Sequence, residues 1–394
     1  MSEFRQYFRY PENILFFNSG SMSLSPASVI DAVATEKNKY ESNPTEGIFG
    51  AWEKMWATQK QLANFLNCRP QDLYLRPNVS YALNDFLMAL QLPEKSEILV
   101  SDLEYGSIVK ICEYKAQIEN LSVREFSFYQ GHEAGASSGL TEEKILNAIE
   151  NALSRETKMV MLSHIMTGTG LKIPINKIGL MLRKKGIFFV VDGAHGLGSS
   201  DLNLDANSLD YYGSNLHKWT MGPKGTGFGW VAEHMRKHLV PRFAGWTTGT
   251  IAPYYDSFGD GDKWAQRWMI NSSVNFADFH GIPSAFEFWR THGPDKIKKT
   301  QRDLLSKTKK AVQEATGWTC VSEYSEDLHG PLVAFRLPIK MMKPNLMKEL
   351  YTQHKLVVST PFIRGETLLR LSPNIYNTEN EIQKVADILR SISA

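Results

Sequence analysis

The sequence is short of cysteine, of long apolar runs and of charge imbalance, and each shortage removes a class of function. Three cysteines in 394 residues, Cys68, Cys112 and Cys320, are too few and too scattered for a disulfide framework or a zinc site. The apolar run near the start, Ile14-Leu-Phe-Phe17, is too short for a signal peptide or a membrane span. The cytosol is the expected compartment, with no membrane partner. Net charge is only +2, and Lys and Arg are spread along the chain, which argues against a nucleic-acid surface. The densest basic run, Lys296 to Lys310, falls in a helical-looking stretch and reads as a solvated helix face. Nucleotide fingerprints are also missing. Gly196-Leu-Gly198 lacks the third glycine of a dinucleotide loop, and Gly222-Pro-Lys-Gly-Thr226 lacks a Gly-Lys-Ser/Thr pair.

What is present is an alternation. From about residue 70 to 230, short apolar runs separate amphipathic stretches. Leu73–Leu75, Glu97–Val100, Val123–Phe128, Lys158–Leu162, Ile187–Val191, Leu209–Tyr212 and Gly227–Val231 read as strands. Ser80–Leu90, Gly106–Ile118, Thr141–Leu153 and Ile175–Lys184 read as helices. Strands apolar on both faces, with helices between them, predict an α/β fold with a mainly parallel sheet. Ligands of such sheets bind beyond the carboxyl ends of the strands. Residues 232–275 show no period and read as a long irregular excursion. Two helices, short strands at Pro331–Phe335 and Leu368–Leu371, and a final helix opened by the capping box Thr378-Glu-Asn-Glu381 predict a smaller C-terminal α+β domain. The expected division is an N-terminal arm (1–20), a large domain (21–275) and a small domain (276–394).

Two residues stand at strand ends in the large domain. Asp192 closes an apolar strand in Val191-Asp-Gly-Ala-His195, and Lys218 lies in Asn215-Leu-His-Lys-Trp219. A carboxylate there needs a cation or donors, and a turn N–H is one alternative. A lysine in a partly desolvated pocket has a lowered pKa and can form a Schiff base; a surface turn lysine, like Lys224 nearby, is the other reading. Together the pair suits pyridoxal phosphate (PLP), which needs a negative charge at its ring nitrogen and an amine at its aldehyde. Val79 and Ser80 open a helix directly after a strand, where backbone N–H groups receive phosphate, and Asn215 and His217 add donors. Tyr105 follows a strand and could cover a ring face or sit in the core. Arg370 alternates with leucines and could bind a carboxylate or form an internal salt bridge.

These motifs together resemble the class-V aminotransferase family of fold-type I PLP enzymes, in particular its isopenicillin N epimerase-like branch. The similarity runs from Phe17-Asn-Ser-Gly-Ser21 to Arg370-Leu-Ser-Pro-Asn-Ile-Tyr-Asn-Thr378. The resemblance implies a seven-stranded sheet, a PLP cofactor, a small amino-acid substrate and a homodimer with residues 232–275 at its interface. It implies that Lys218 carries the Schiff base and that Asp192 pairs with the ring nitrogen. His195 and Thr167 would lie at the 3′-oxygen, and Tyr105 would stack. Val79, Ser80, Asn215 and His217 would surround the phosphate, and Ser273 would reach the phosphate of the partner subunit. Arg370, with Asn18, would bind the substrate carboxylate. The segment Val357–Gly365 lacks the loop cysteine of persulfide-forming desulfurases. Epimerase or C–S lyase activity is therefore expected ahead of aminotransferase activity. A non-catalytic regulator or scaffold on the same fold is the expectation from another class.

Overall fold

Apolar runs become strands wherever both of their faces can be covered. The computed structural model describes residues 3–129, 139–205, 208–245, 264, 268 and 273–393. After a two-residue strand β1 (Leu15–Phe16) come β2 (Leu73–Arg76), β3 (Glu97–Ser101), β4 (Ser122–Phe126), β5 (Thr157–Ser163), β6 (Phe188–Asp192), β7 (Tyr211–Asn215) and β8 (Gly227–Val231). The last seven form one sheet in the order β2-β8-β7-β6-β5-β3-β4. The strands from β4 to β7 run parallel, while β8 runs antiparallel to both β7 and β2. Every residue of β3, β7 and β8 is buried, so the sheet is covered on both sides there.

Helices α1 (Ala27–Ser42), α2 (Pro44–Leu66), α3 (Val79–Ala89), α4 (Gly106–Glu119), α5 (Glu142–Ala152) and α6 (Ile175–Lys184) belong to this half of the chain. Local chemistry sets their ends. The Asn78 side chain accepts from Tyr81 N–H at the start of α3, and Thr141 does the same for Lys144 N–H at α5. Asn67 and Asn120 close α2 and α4 in the left-handed conformation. Residues 22–70 precede the strand and helix alternation. There α2 carries its apolar residues at helical spacing and buries Trp52, Met55, Trp56, Leu62 and Leu66.

One strand lies later in sequence than expected. The reading at Leu209–Tyr212 becomes β7 at Tyr211–Asn215. Gly213, Ser214 and Asn215 look like a loop by composition, yet they continue the strand because their polar groups are satisfied inside. Ser214 Oγ donates to the Gly193 carbonyl (2.7 Å), and Asn215 Oδ1 accepts from Val79 N–H (3.0 Å).

The C-terminal part adds β9 (Val333–Arg336), β10 (Leu356–Val357), β11 (Phe362–Ile363) and β12 (Glu366–Leu371). The last three-stranded sheet is antiparallel in the order β11-β12-β9. Its core is distinct from that of the large sheet and includes Leu304, Val312, Phe335, Leu369, Leu371, Val385 and Leu389. Phe17 packs into this core, and β1 pairs in parallel with β10, so residues 15–17 are tied to the C-terminal part. Cys320 makes a single bridge opposite Phe335 and is buried. Of residues 232–275, those numbered 246–263, 265–267 and 269–272 lie outside the described residues.

The capping box forms as read. Thr378 N–H donates to Glu381 Oε2 (2.9 Å), and Glu381 N–H donates to Thr378 Oγ1 (3.3 Å). Thr378→Ala is expected to cost about 1 kcal/mol, read as a lower denaturant midpoint with an unchanged slope. Among the described residues no helix is long and apolar enough to cross a membrane, and no cluster of His, Cys, Asp and Glu is placed to hold a metal ion.

Candidate active site

The parallel strands deliver their carboxyl ends to one cavity of about 710 Å³. Asp192, the last residue of β6, sits between Ser163 of β5 and Gly213 of β7. It is 3% exposed. Burial pushes its carboxyl up from the ordinary range, while the Ala194 N–H (2.8 Å from Oδ1) and Lys218 pull it back down. The turn N–H alternative is thus real, but it engages one oxygen of a carboxylate that also lines the cavity.

Lys218 faces the same cavity, whereas Lys224 does not: the Lys224 amine donates to Ser25 Oγ (2.8 Å), and although burial brings that amine down to about 8 as well, it lies outside the cavity. Burial brings the Lys218 amine down to about 8; Asp192 raises it and Arg370 lowers it further.

His195 is held in one tautomer. The Trp219 indole N–H, which can only donate, reaches His195 Nδ1 at 3.2 Å. The neutral ring must then carry its proton on Nε2. That nitrogen lies 3.1 Å from Thr167 Oγ1 and 3.4 Å from Lys218 Nζ. Burial, then Lys218 and Arg370, hold His195 well below the usual histidine range, so the ring stays neutral. Gly196 has a packing role instead of a nucleotide role: a side chain there would strike Tyr212 and His164, whose hydrogen bond (3.1 Å) lies beneath the Asp192 turn.

Val79, Ser80, Asn215 and His217 gather at the other side of the cavity. They meet where β2 ends and α3 begins, and the Val79–Asn215 hydrogen bond joins the helix start to the lysine loop. Among the described residues, buried His217 Nδ1 has no hydrogen-bond partner.

Arg370 completes the wall. Leu369 and Leu371 turn into the small core, which sends Arg370 to the opposite face of β12. Nη1 donates to the Thr167 carbonyl (3.0 Å) and Oγ1 (2.9 Å); Nη2 donates to Asn18 Oδ1 (3.1 Å) and Ser21 Oγ (2.9 Å). No carboxylate pairs with it among the described residues, and its buried Nε has no partner. Burial lowers the guanidinium to about 10, with Tyr105 opposing. Tyr105 is 52% exposed and lines the cavity, so it is no core tyrosine. Asn18 does not line the cavity but braces Arg370. Ser273 is exposed and lies outside the cavity of its own chain.

Four lining or supporting residues escaped the sequence reading. Trp219 acts through His195. Glu104 is buried and accepts from Ser163 N–H (2.9 Å), Ser163 Oγ (2.6 Å) and Ser101 Oγ (2.7 Å). Burial pushes its carboxyl to about 7 against those donors. Its place in a strand-to-helix turn beside Tyr105 was the available signal. Asp102 and Arg364 pair across the cavity (Nε to Oδ2, 3.0 Å), a contact that local sequence does not reveal.

The aminotransferase class-V family matches residues 14–385. The isopenicillin N epimerase of Amycolatopsis lactamdurans is 28% identical over 383 residues, 95% of this chain and 94% of the relative. A probable cysteine desulfurase of Pyrococcus abyssi (strain GE5 / Orsay) is 22% identical over 397 residues, 97% of this chain and 94% of the relative. Among solved structures, a mutant of C-DES with glycine covalently linked to its PLP cofactor superposes with a TM-score of 0.85 at 20% identity, covering 98% of each chain. The fold is therefore that of the type I PLP enzymes. A family match over nearly the whole chain, on a sheet that brings Asp192, Lys218 and Arg370 to one cavity, means that the chain belongs to the class-V aminotransferase family.

Proposed function

We propose that this chain is a PLP-dependent enzyme that acts on the Cα–H bond of an amino acid, by epimerisation or C–S cleavage ahead of transamination. The observation that carries the reading is the meeting of Asp192, Lys218 and Arg370 in one cavity. When bound, PLP supplies an electron sink that acidifies the Cα proton.

The residues present fit that cofactor. Asp192 offers a buried carboxylate to a ring nitrogen, and its raised pKa is what a cationic partner would relieve. Ser80, at the start of α3, offers donors to a phosphate, with His217 lining the cavity beside it; Val79 N–H already donates to Asn215 Oδ1. His195 presents Nε2–H for the 3′-oxygen, with Thr167 beside it, and Tyr105 presents a ring. Lys218, at about 8, can give up or take a proton near neutral pH. Arg370 has donors for an α-carboxylate, pre-aimed by Thr167, Asn18 and Ser21. A homodimer, with Ser273 serving the partner's phosphate, belongs to the same proposal, as does a cytosolic location.

Cysteine placement favours reactions without a protein persulfide. Among the described residues no cysteine lines the cavity: Cys112 and Cys320 are buried, and Cys68 is partly buried. The desulfurase relatives leave direct C–S cleavage fully compatible with the site. A scaffold without catalysis is opposed by the intact Asp192, Lys218 and Arg370.

Purified protein supplied with PLP is expected to absorb at roughly 410–430 nm through the cofactor's linkage to lysine. A screen of amino acids and cysteine conjugates then separates the reactions. Pyruvate release identifies a lyase, α-proton exchange without net product an epimerase, and keto-acid dependence an aminotransferase. A protein that shows no such band has another function.

A further inference from the structure

Glu104 has no part in the reading above, although it is buried and lines the same cavity as Asp192. It sits in the turn between β3 and α4; β3 lies beside β5, and β5 beside β6. From that turn its carboxylate reaches across to the end of β5. Oε2 accepts from Ser163 N–H (2.9 Å) and Ser163 Oγ (2.6 Å), and Oε1 accepts from Ser101 Oγ (2.7 Å). Ser163 is in turn the register partner of Asp192 on β6. Neighbouring strands lie about 4.8 Å apart, so Ser163 stands between two carboxylates at one corner of the cavity. The donors given to Glu104 favour its ionised form, while burial and the like charge of Asp192 oppose it and leave the carboxyl at about 7. The other titratable groups around this corner are uncharged. Burial holds Cys112 of α4, on which Glu104 acts, up at about 12. Behind Asp192, burial takes His164 down to about 3 and Tyr212 of β7 well above its usual range. Lys218 is the cation that acts on Asp192. Two buried carboxylates therefore face one protein cation, and a second cation brought by a ligand would offset the surplus charge.

We propose that Glu104 is a positioning residue which, held by Ser163 beside Asp192, reinforces the negative charge that Asp192 presents and so keeps the cofactor's ring nitrogen protonated. This rests on the functional reading above. Asp192 meets the nitrogen, and Glu104 acts on it through Asp192, from the far side of Ser163. A ring proton held more firmly strengthens the electron sink on which removal of the Cα proton depends. Ser163 and Ser101 have the matching task of keeping Glu104 ionised at a buried place.

PLP labelled with nitrogen-15 in its ring tests this, because the NMR shift of that nitrogen reports its proton directly. The labelled cofactor is loaded into wild type, Glu104→Gln and Ser163→Ala, and each signal is followed from about pH 6 to about pH 10. Glu104→Gln keeps the size of the side chain and one acceptor but removes the charge. Its ring nitrogen is expected to lose the proton about one pH unit lower than in wild type, the scale of one partly screened charge nearby. Ser163→Ala leaves the backbone donor in place and is expected to move the titration the same way by less. Unfolding midpoints confirm that both variants fold, and a Glu104→Gln protein that does not fold leaves Ser163→Ala to decide. A Glu104 that only shapes its turn would lower the midpoint and leave the nitrogen's titration where it was. Signals that titrate alike in the folded proteins, or stay protonated alike across the range, would overturn the role. Absence of the cofactor band in wild type would overturn the functional reading, and this role with it.

Discussion

Lys218→Ala, supplied with PLP, is expected to lose the absorbance band and its borohydride-reducible linkage, and to turn over at least about 10³-fold more slowly. The size follows from two jobs placed on one amine, bonding the cofactor and moving the Cα proton. Lys224→Ala is the matched control, because that amine sits outside the cavity on Ser25. It is expected to keep the band. The pH dependence has a definite sign. The Lys218 amine titrates at about 8, lowered first by burial, so its neutral, nucleophilic form grows as pH rises through 8. Capture of PLP by cofactor-free protein should therefore accelerate from pH 7 to pH 9 and then level off. Stopped-flow absorbance reads this directly. A rate that falls across the window would remove Lys218 from the role.

Asp192→Asn is expected to lower turnover about 10²–10³-fold while leaving the fold intact. An amide oxygen can still accept from Ala194 N–H, so the turn survives, but the charge facing a ring nitrogen is gone. Stability separates this role from a structural one. Burial raises the Asp192 pKa in the folded chain above its ordinary value, so at neutral pH this carboxyl opposes folding in the cofactor-free protein. That penalty fades as pH falls toward the ordinary carboxylate range. Cofactor-free Asp192→Asn should thus melt no lower than wild type at pH 7, yet gain less from added PLP. A variant that melts much lower without cofactor would mark Asp192 as a structural cap.

The sheet was legible because burial on two faces demands apolar runs of a length that helices do not use. Asp192 stood out for the same reason: a carboxylate ending Phe188-Phe-Val-Val is chemically conspicuous. Lys218 and Arg370 were legible through motif and alternation. What stayed hidden depends on contacts between distant segments. β7 was misplaced because its polar residues find partners in Gly193 and Val79, far along the chain. Asn18 carried no sign that its oxygen would brace Arg370 instead of lining the cavity. Trp219 follows Lys218 directly in the chain, and only geometry shows that its N–H selects the His195 tautomer. Arg364 and Asp102 come together only once the hairpin closes over the sheet.

The bracing of Arg370 has a consequence for how the protein is made. Its partners Asn18 and Ser21 lie 352 and 349 positions earlier in the chain. Asp192 and Lys218 are synthesised well before β12, and their strands pair within the large sheet. Contacts of such long separation form late, after loop closure has been achieved elsewhere. The cofactor's half of the site can therefore be assembled on a nascent chain that still has no means of choosing a substrate. Under the proposed function, recognition of the amino acid waits until β12 has been made and Arg370 meets Asn18 and Ser21.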